Sequence, residues 1–445
     1  MTSVTADPTL RFPDGFVWGA ATSSYQIEGG AEADGRGQSI WDTFCARPGT
    51  IADGTSGAVA CDHYRRWADD VALMQSLGLG GYRFSIAWPR VIPGGRGAVN
   101  VRGLDFYDRL VDGLLASGVQ PFPTLYHWDL PQALEDGGGW TVRSTAEAMA
   151  DYAGVVVERL GDRVQNWTTI NEPFVVANHG YLTGEHAPGR SSLRDYLAAS
   201  HHILLAHGLA ADRIRSLQPS ARVGATLNFT PAEQMSQTPA GSDRFRTIDD
   251  LENRWYVEPI AGLGYPAATV ARLGWEQAEV LSGDLDVISQ PLDFLGVNFY
   301  TRNLVGALEG EQVPHVYADT DMGWEIHAPS IGRLMRDLHA RDRFPVFYVT
   351  ENGAAMPDLA RTADGRVDDQ DRLAYLHDHL SELHRAIADG VPLAGYFAWS
   401  FLDNFEWAHG YAKKFGIVEV EPTTLARIPK ASALWYAGVA TSNGL

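Results

Sequence analysis

Two glutamates of the sequence stand where they could act as a pair. Glu172 precedes Pro173, which disfavours a helical conformation for the residue before it and so predicts an extended backbone. Glu351 ends an apolar, β-rich run and is followed by Asn352 and Gly353. A single glutamate of this kind is as often half of a salt bridge. Two that flank a bond could carry out glycoside hydrolysis, in which one carboxyl group protonates the leaving oxygen and the other attacks the anomeric carbon.

The elements that would position this pair form a repeated strand–helix pattern. Short runs that mix apolar, aromatic and β-branched residues, as buried strands require, lie at 16–20, 82–88, 121–128, 166–172, 222–229, 293–300, 345–351 and 393–400. Between them lie helices with a 3.6-residue apolar period, such as the stripe of Tyr64, Trp67, Val71, Met74 and Leu77. Strands that alternate with helices form a parallel sheet, because parallel neighbours need long crossovers.

Eight such units match a closed (β/α)8 TIM barrel, an α/β fold, better than an open doubly wound sheet. We expect one catalytic domain over residues 11–440, with extended loops after the strands and an N-terminal tail at residues 1–10. A barrel holds its functional groups at the carboxyl ends of its strands. Glu172 and Glu351 end the fourth and seventh runs, which lie roughly opposite each other in a ring of eight strands.

Other polar and aromatic residues collect at the same ends and in the loops that follow. They are Gln26, Arg83, Trp88, His127, Trp128, Asn171, Asn228, Asn298, Tyr300, Asn352 and Trp399. A tryptophan presents a flat apolar face beside one N–H donor, and such a face suits the C–H surface of a pyranose. We therefore assign Trp128, Trp399 and Trp407 to a sugar pocket rather than to the core.

Composition and charge narrow the class of ligand. The 445 residues include 35 Lys and Arg against 55 Asp and Glu, a formal net charge of −20. This balance argues against nucleic acid or an anionic membrane as a partner, since phosphates attract a basic surface. No signal-like N-terminal segment and no apolar stretch of about 20 residues is found. These patterns predict a cytoplasmic protein with a small-molecule substrate.

No motif predicts a metal or a cofactor. Cys45 and Cys61 are too few for a disulfide framework or a four-thiolate metal site. The glycines at 78–81 are similar to a dinucleotide-binding loop, but Arg83 occupies the place of the third glycine. The histidines between 201 and 207 lack the HExxH spacing of a zinc site.

An ordered series of motifs resembles family 1 of the glycoside hydrolases, the retaining β-glucosidase family, from about Phe12 to Tyr436. The matching stretches are FVWGAATSSYQIEG at 16–29, YRFSIAW at 82–88, YHWDLP at 126–131, NEP at 171–173, NFY at 298–300, TENG at 350–353 and WSFLDNFEW at 399–407. The resemblance implies a TIM barrel and a bacterial β-glucosidase that needs no cofactor.

The resemblance also implies roles for individual residues. Glu351 would be the nucleophile, kept charged by Arg83 and Tyr300, and Glu172 the general acid/base. The residues that would bind sugar hydroxyl groups are Gln26, His127, Asn171 and Glu406. Trp399 would lie under the sugar ring, and Trp128, Trp407 and Phe415 would close the pocket. Asn298 matches a position near the catalytic pair, and Trp324 a tryptophan on the aglycone side.

The implied substrate is a terminal β-D-glucosyl residue of a small β-glucoside or a cello-oligosaccharide, hydrolysed by double displacement. Two alternatives stay open. A 6-phospho-β-glycosidase is disfavoured by Glu406 and Trp407, because a carboxylate on the O4 and O6 side of the sugar would repel a phosphate. A non-catalytic sugar-binding barrel would usually lack one of the two carboxyl groups. The sequence leaves both a monomer and a homo-oligomer open.

Overall fold

The computed structural model describes residues 10–275 and 279–445. Residues 1–9 of the predicted N-terminal tail therefore lie outside the described residues. The carbonyl group of Leu10 accepts a backbone hydrogen bond from Leu445, so these two residues lie side by side.

The strands close into a parallel barrel. They are β1 (Val17–Ala21), β2 (Gly81–Ser85), β3 (Gln120–Tyr126), β4 (Asn166–Asn171), β5 (Arg222–Phe229), β6 (Phe294–Phe299), β7 (Phe347–Asn352) and β8 (Leu393–Trp399). Each pairs in parallel with its neighbour along the chain, and β8 pairs with β1 to close the ring. The predicted α/β barrel is confirmed.

The principal helices surround this ring. They are α1 (His63–Ser76), α2 (Val101–Ala116), α3 (Arg143–Leu160), α4 (Leu193–Leu217), α5 (Asp284–Ile288), α6 (Pro329–Ala340), α7 (Gln370–Ala388) and α8 (Ala431–Ser442). Each predicted run overlaps one strand, but the second run is too long. Its end forms a helical turn, Trp88–Val91. Pro89 fits the first turn of a helix and has no N–H group for the hydrogen bonds between strands.

The loops contain further short elements. Further helices and helical turns are Ser24–Ile27, Ala33–Gly35, Ile40–Cys45, Gln132–Asp136, Gly139–Thr141, Pro173–Ala177, Asn178–Leu182, Pro239–Asp249, Asp250–Arg254, Trp255–Ile260, Ala267–Leu273 and Trp407–His409. Ala232–Gln234 pairs with Asn303–Val305, and Val418–Val420 pairs with Arg427–Pro429. No helix among the described residues has the length and apolar character needed to cross a lipid bilayer.

Aromatic side chains fill the inside of the barrel. Phe122 packs edge-on against Phe397, with ring centroids 4.9 Å apart, and Tyr348 lies 5.6 Å from Phe122. Gly19 makes room for this layer, since a Cβ there would lie 2.5 Å from the ring of Phe397. The barrel is thus a packed core and not a pore, which leaves the strand ends for function.

Buried ion pairs anchor the segment that follows β8. Lys430 is fully buried and donates to Asp403 at 2.8 Å and to Asp358 at 2.5 Å. Arg372 contacts Asp358 at 2.9 Å and donates to the carbonyl group of Lys414 at 2.6 Å. Loss of one partner would leave a buried charge uncompensated, so these contacts hold the segment in one arrangement.

The close approach of the ends of β7 and β8 predicts that Gly353 cannot accept a side chain. A Cβ at this position would lie 1.7 Å from the carbonyl oxygen of Trp399. We expect Gly353→Ala to lower the free energy of unfolding by about 1–3 kcal/mol, the usual cost of overpacking, as measured by urea denaturation.

Gly438→Ala is the matched control, because a Cβ there meets nothing within 4 Å and the residue lies inside α8. This variant should be neutral or slightly stabilised, since alanine favours a helix over glycine. Equal stability of the Gly353 variant and the wild-type protein would contradict the argument.

Candidate active site

A cavity of about 600 Å³ opens at the carboxyl ends of the barrel strands. Glu172 and Glu351 both line it. The other predicted site residues that line it are His127, Trp128, Asn298, Tyr300, Trp324, Trp399, Glu406, Trp407 and Phe415. Gln26, Arg83 and Asn171 are buried behind this surface, where each forms a hydrogen bond with a lining residue.

Glu351 receives a different donor on each of its carboxylate oxygens. Arg83 Nη1 donates to Oε1 at 2.5 Å, and the hydroxyl group of Tyr300 donates to Oε2 at 2.6 Å. Glu351 is only 3% exposed and Arg83 only 1%. Burial and the charge of Glu351 raise the pKa of Tyr300 well above its ordinary value, so its hydroxyl group keeps the proton that it donates. Both contacts favour the charged form of the Glu351 carboxyl group.

Glu172 directly follows β4, and its backbone has a φ of 47° and a ψ of 67°. The extended conformation predicted from Pro173 is therefore wrong. The residue before the proline does avoid the right-handed helical region, but it adopts the left-handed one, which costs a non-glycine residue about 1–3 kcal/mol. The backbone N–H group of Glu172 donates a hydrogen bond of 2.9 Å to the carbonyl group of Thr226, and this contact fixes the turn.

The surroundings of Glu172 favour its protonated form. Burial raises the pKa of Glu172 above its ordinary value, and the negative charge of Glu351 raises it further. The side-chain amide of Asn298 donates to Glu172 Oε1 at 2.7 Å and, together with the charge of Arg83, offsets part of this increase. The two carboxyl groups therefore share one cavity but have different hydrogen-bond donors.

Arg83 sets the donor and acceptor roles of its neighbours. A guanidinium group has only donors, so Asn171 presents its Oδ1 to Arg83 Nη2, at 2.5 Å. The NH2 group of Asn171 then faces His127 Nε2 at 3.2 Å, which assigns the acceptor role to this nitrogen and the ring proton to Nδ1. Burial lowers the pKa of His127 well below its ordinary value, in agreement with a neutral ring. Its Nδ1 has no hydrogen-bond partner among the described residues.

One wall of the cavity is aromatic. The ring of His127 stacks with those of Trp399 and Trp407, each at 5.9 Å between centroids and with interplanar angles of 16° and 19°. Trp324 lies 5.5 Å from Tyr300 and 6.1 Å from Phe415 on another part of the lining. These flat faces can cover the apolar surfaces of a sugar ring.

Glu406 adds a carboxyl group beside the aromatic wall. Gln26 Nε2 donates to the carbonyl group of Phe405 at 2.9 Å and lies 3.4 Å from Glu406 Oε2. Burial raises the pKa of Glu406 to about 8, and the negative charge of Glu351 makes a smaller contribution to this increase. No lysine or arginine is among the lining residues in the described parts of the chain. A phosphate here would therefore meet carboxyl groups without a compensating cation.

The wall that follows Glu172 along the chain contains residues that sequence reasoning missed. Glu252 lies in the π-helical turn Asp250–Arg254, and the side-chain amide of Asn303 donates to its carboxylate oxygens at 3.1 and 3.3 Å. Burial raises the pKa of Glu252. Further unpredicted lining residues are Phe174, Val175, Asn178, His179, Glu185, His186, Phe229, Thr230, Thr301, Met322 and His409. Phe229 ends β5, and the others lie in loops and short helical turns, where no strand or helix period in the sequence marked them.

The histidines of α4 are bound to protein groups. His201 contacts Tyr265 and Asp284, both at 3.0 Å. His202 contacts the carbonyl group of Trp140 at 3.0 Å, and His207 contacts Thr169 at 2.6 Å. Across residues 10–275 and 279–445, no group of three or more His, Cys, Asp or Glu side chains is arranged to hold a metal ion.

Comparison with known proteins identifies the family. The model of glycosyl hydrolase family 1 matches residues 9–445. The chain belongs to glycosyl hydrolase family 1. This membership confirms the resemblance that the motifs indicate, and it covers the barrel and all the residues that line the cavity.

The similar family 1 proteins match along nearly their whole length. Beta-glucosidase A of Thermotoga maritima is 44% identical over 441 residues, which are 98% of this chain and 99% of that protein. Thermostable beta-glucosidase B of Thermobispora bispora is 47% identical in an alignment of 453 positions that covers 98% of this chain and 92% of that protein. The solved structure of the Thermotoga maritima beta-glucosidase in complex with glucoimidazole has a TM-score of 0.93 and 43% identity, and the match covers 98% of this chain and 100% of that one.

Proposed function

We propose that this family 1 protein is a retaining β-glucosidase that hydrolyses terminal non-reducing β-D-glucosyl residues of small β-glucosides. One observation carries the proposal: two buried carboxyl groups line one cavity, and their surroundings favour charge on Glu351 and a proton on Glu172. Double displacement requires this difference between nucleophile and acid.

In the first step, a carboxylate oxygen of Glu351 forms a bond to the anomeric carbon while the bond from that carbon to the glycosidic oxygen breaks. The proton of Glu172 moves to the departing oxygen, which leaves as a hydroxyl group. In the second step, the Glu172 carboxylate takes a proton from water, whose oxygen attacks the anomeric carbon and releases Glu351. Two inversions return glucose as the β-anomer.

Arg83 and Tyr300 serve Glu351 in both steps. Their hydrogen bonds keep it a carboxylate before attack and stabilise it again as the leaving group. Asn171 and Asn298 connect Arg83 with Glu172 through hydrogen bonds of 2.5, 3.1 and 2.7 Å. We assign these residues to positioning the catalytic pair.

The aromatic wall is the glucose-binding side. Trp399 would lie under the ring, Trp128, Trp407 and Phe415 would enclose it, and His127, Gln26 and Glu406 would contact its hydroxyl groups. The carboxyl group of Glu406 and the absence of Lys and Arg from the described lining favour an unmodified sugar over a 6-phosphate. A non-catalytic barrel is likewise disfavoured, since both carboxyl groups are present.

The opposite wall is the aglycone side, because it includes the segment that follows the acid Glu172. Trp324, beside Phe415, offers an apolar face to this side, whereas Glu252 and Asn303 offer polar groups. Glu252 forms no ion pair with another described residue, so its carboxylate can accept hydrogen bonds from a ligand. This combination suits a second sugar, and cello-oligosaccharides are the substrates that we infer.

We further propose a cytoplasmic enzyme that completes cellulose degradation by acting on imported cello-oligosaccharides. Cys45 and Cys61 are both free thiols, as is usual in a reducing compartment. The net charge of −20 supports a neutral small-molecule substrate rather than a nucleic acid.

The stereochemistry of the released sugar is the first test. We expect proton NMR of an aryl β-glucoside digest to show β-glucose before mutarotation, and Glu351→Gln to release almost none. If α-glucose appeared first, Glu351 would not be the nucleophile and the two carboxyl groups would be too far apart for a retaining enzyme. Preference for a 6-phosphorylated substrate would overturn the assignment of Glu406.

The role of Glu172 predicts a dependence on the leaving group. Glu172→Ala should slow alkyl β-glucosides by about 10²- to 10⁴-fold, the usual contribution of a general acid, and aryl glucosides with good leaving groups much less. In the wild-type enzyme, kcat/KM should fall as the pH rises through the raised pKa of Glu172, because the acid must carry a proton. Equal losses on both substrate classes would exclude the acid role.

The polar aglycone wall predicts a loss that depends on the substrate. Glu252→Gln should lower kcat/KM for cellobiose by about tenfold, the effect of losing a hydrogen bond to a charged group. Hydrolysis of 4-nitrophenyl β-glucoside should change by less than about twofold, since its aglycone has no hydroxyl groups to donate. Glu309→Gln removes the same charge from an exposed loop and should affect neither substrate. Equal effects on both substrates would show that Glu252 does not contact the aglycone.

A further inference from the structure

We propose that Thr350 is a positioning residue whose hydroxyl group fixes the side-chain amide of Asn298 so that its NH2 group faces Glu172. This inference rests on the proposed function, because it assigns to Asn298 the task of supporting Glu172 as acid and base. Thr350 precedes Glu351 in β7, and Asn298 pairs with Glu351 across the strands β6 and β7.

The orientation of the Asn298 amide follows from the donors around it. Arg83 can only donate, so Asn171 Oδ1 is an acceptor, and the group that Asn298 turns towards it must be a donor. The NH2 group of Asn298 lies 3.1 Å from Asn171 Oδ1 and 2.7 Å from Glu172 Oε1. Asn298 Oδ1 therefore points away from both, towards Thr350.

Thr350 supplies the donor that this oxygen needs. Its Oγ1 donates to Asn298 Oδ1 at 2.7 Å, and the hydroxyl group of Thr226 in turn lies 3.4 Å from Thr350 Oγ1. Asn298 is fully buried and Thr350 is 2% exposed. Without the Thr350 hydroxyl group, Asn298 Oδ1 would lose its hydrogen-bond donor. Because Asn298 is buried, bulk water would not replace this donor, and a buried oxygen without a donor is energetically costly.

Without this contact the amide is held less firmly, and its NH2 group donates less well to Glu172 Oε1. The native NH2 group favours the carboxylate of Glu172, so weaker donation favours the protonated form. Loss of the hydroxyl group should therefore raise the proton affinity of Glu172. The step that suffers is the second one, in which the Glu172 carboxylate must take a proton from water.

The test compares Thr350→Val, which has nearly the same shape, with Thr350→Ser, which keeps the hydroxyl group. With 2,4-dinitrophenyl β-glucoside, whose leaving group needs little acid catalysis, we expect Thr350→Val to lower kcat about tenfold, the loss of one buried hydrogen bond. The KM value should fall too, because the glycosyl-enzyme accumulates. With an alkyl β-glucoside, which needs the acid, the fall of kcat/KM at high pH should move to higher pH. Thr350→Ser should restore all three quantities.

Thr124→Val is the matched control. Thr124 is a buried threonine of β3 whose Oγ1 has no hydrogen-bond partner among the described residues, so its removal should leave kcat, KM and the pH profile unchanged. In an Asn298→Ala background, Thr350→Val should have no further effect, since a residue that acts through Asn298 has nothing left to position.

Wild-type kcat and an unchanged pH profile in a folded Thr350→Val variant would overturn the inference. So would equal damage by Thr350→Ser, which would point to packing of the methyl group. If Thr350→Val does not fold, Thr350→Ala replaces it in the same comparison with Thr350→Ser. Retaining hydrolysis by the wild-type enzyme is measured in the same experiments, so a failure of this inference is distinct from a failure of the proposed function.

Discussion

The active site depends on one buried guanidinium group. Arg83 is 1% exposed and points two of its N–H groups at two different acceptors, Glu351 and Asn171. A buried cation is costly unless it is paired and hydrogen-bonded, so these contacts must form in any folded molecule. Because arginine cannot accept a hydrogen bond, it also dictates which atom each neighbour presents. Its position on β2 thus governs groups on three other strands.

The different surroundings of Glu172 and Glu351 follow from this placement. Arg83 contacts Glu351 directly but reaches Glu172 only through Asn171 and Asn298. A charge on Glu351 in a water-poor cavity opposes a second charge nearby, so the proton goes to Glu172. In the mechanism that we propose, placing one cation closer to one carboxyl group separates nucleophile from acid, and no difference in residue type is needed.

The barrel and the aromatic wall of the cavity could be predicted from the sequence because both obey strong local rules. Strands buried on two faces must be apolar, and the eight runs overlap the eight strands. In the aromatic wall, His127 immediately follows β3, Trp399 ends β8 and Trp407 lies in the loop after β8, so strand ends locate most of it. Three features depend on tertiary contacts instead. The backbone of Glu172 is in the left-handed region because its N–H group is bound by the carbonyl group of Thr226. Gln26 lies behind the cavity surface. Glu252 reaches the cavity from a helical turn in a loop, far from any strand end.

The two walls of the cavity consequently differ in how strongly they are constrained. The segment after β8 is tied to the interior by Lys430 and Arg372, both buried, so the aromatic wall cannot shift without leaving a buried charge unpaired. The wall that we propose for the aglycone is built from separate loops that follow β4, β5 and β6, joined by contacts such as Asn303 with Glu252. Such loops can change without disturbing Arg83 or the catalytic pair. A single catalytic centre can in this way keep its chemistry while the preference for the leaving group varies.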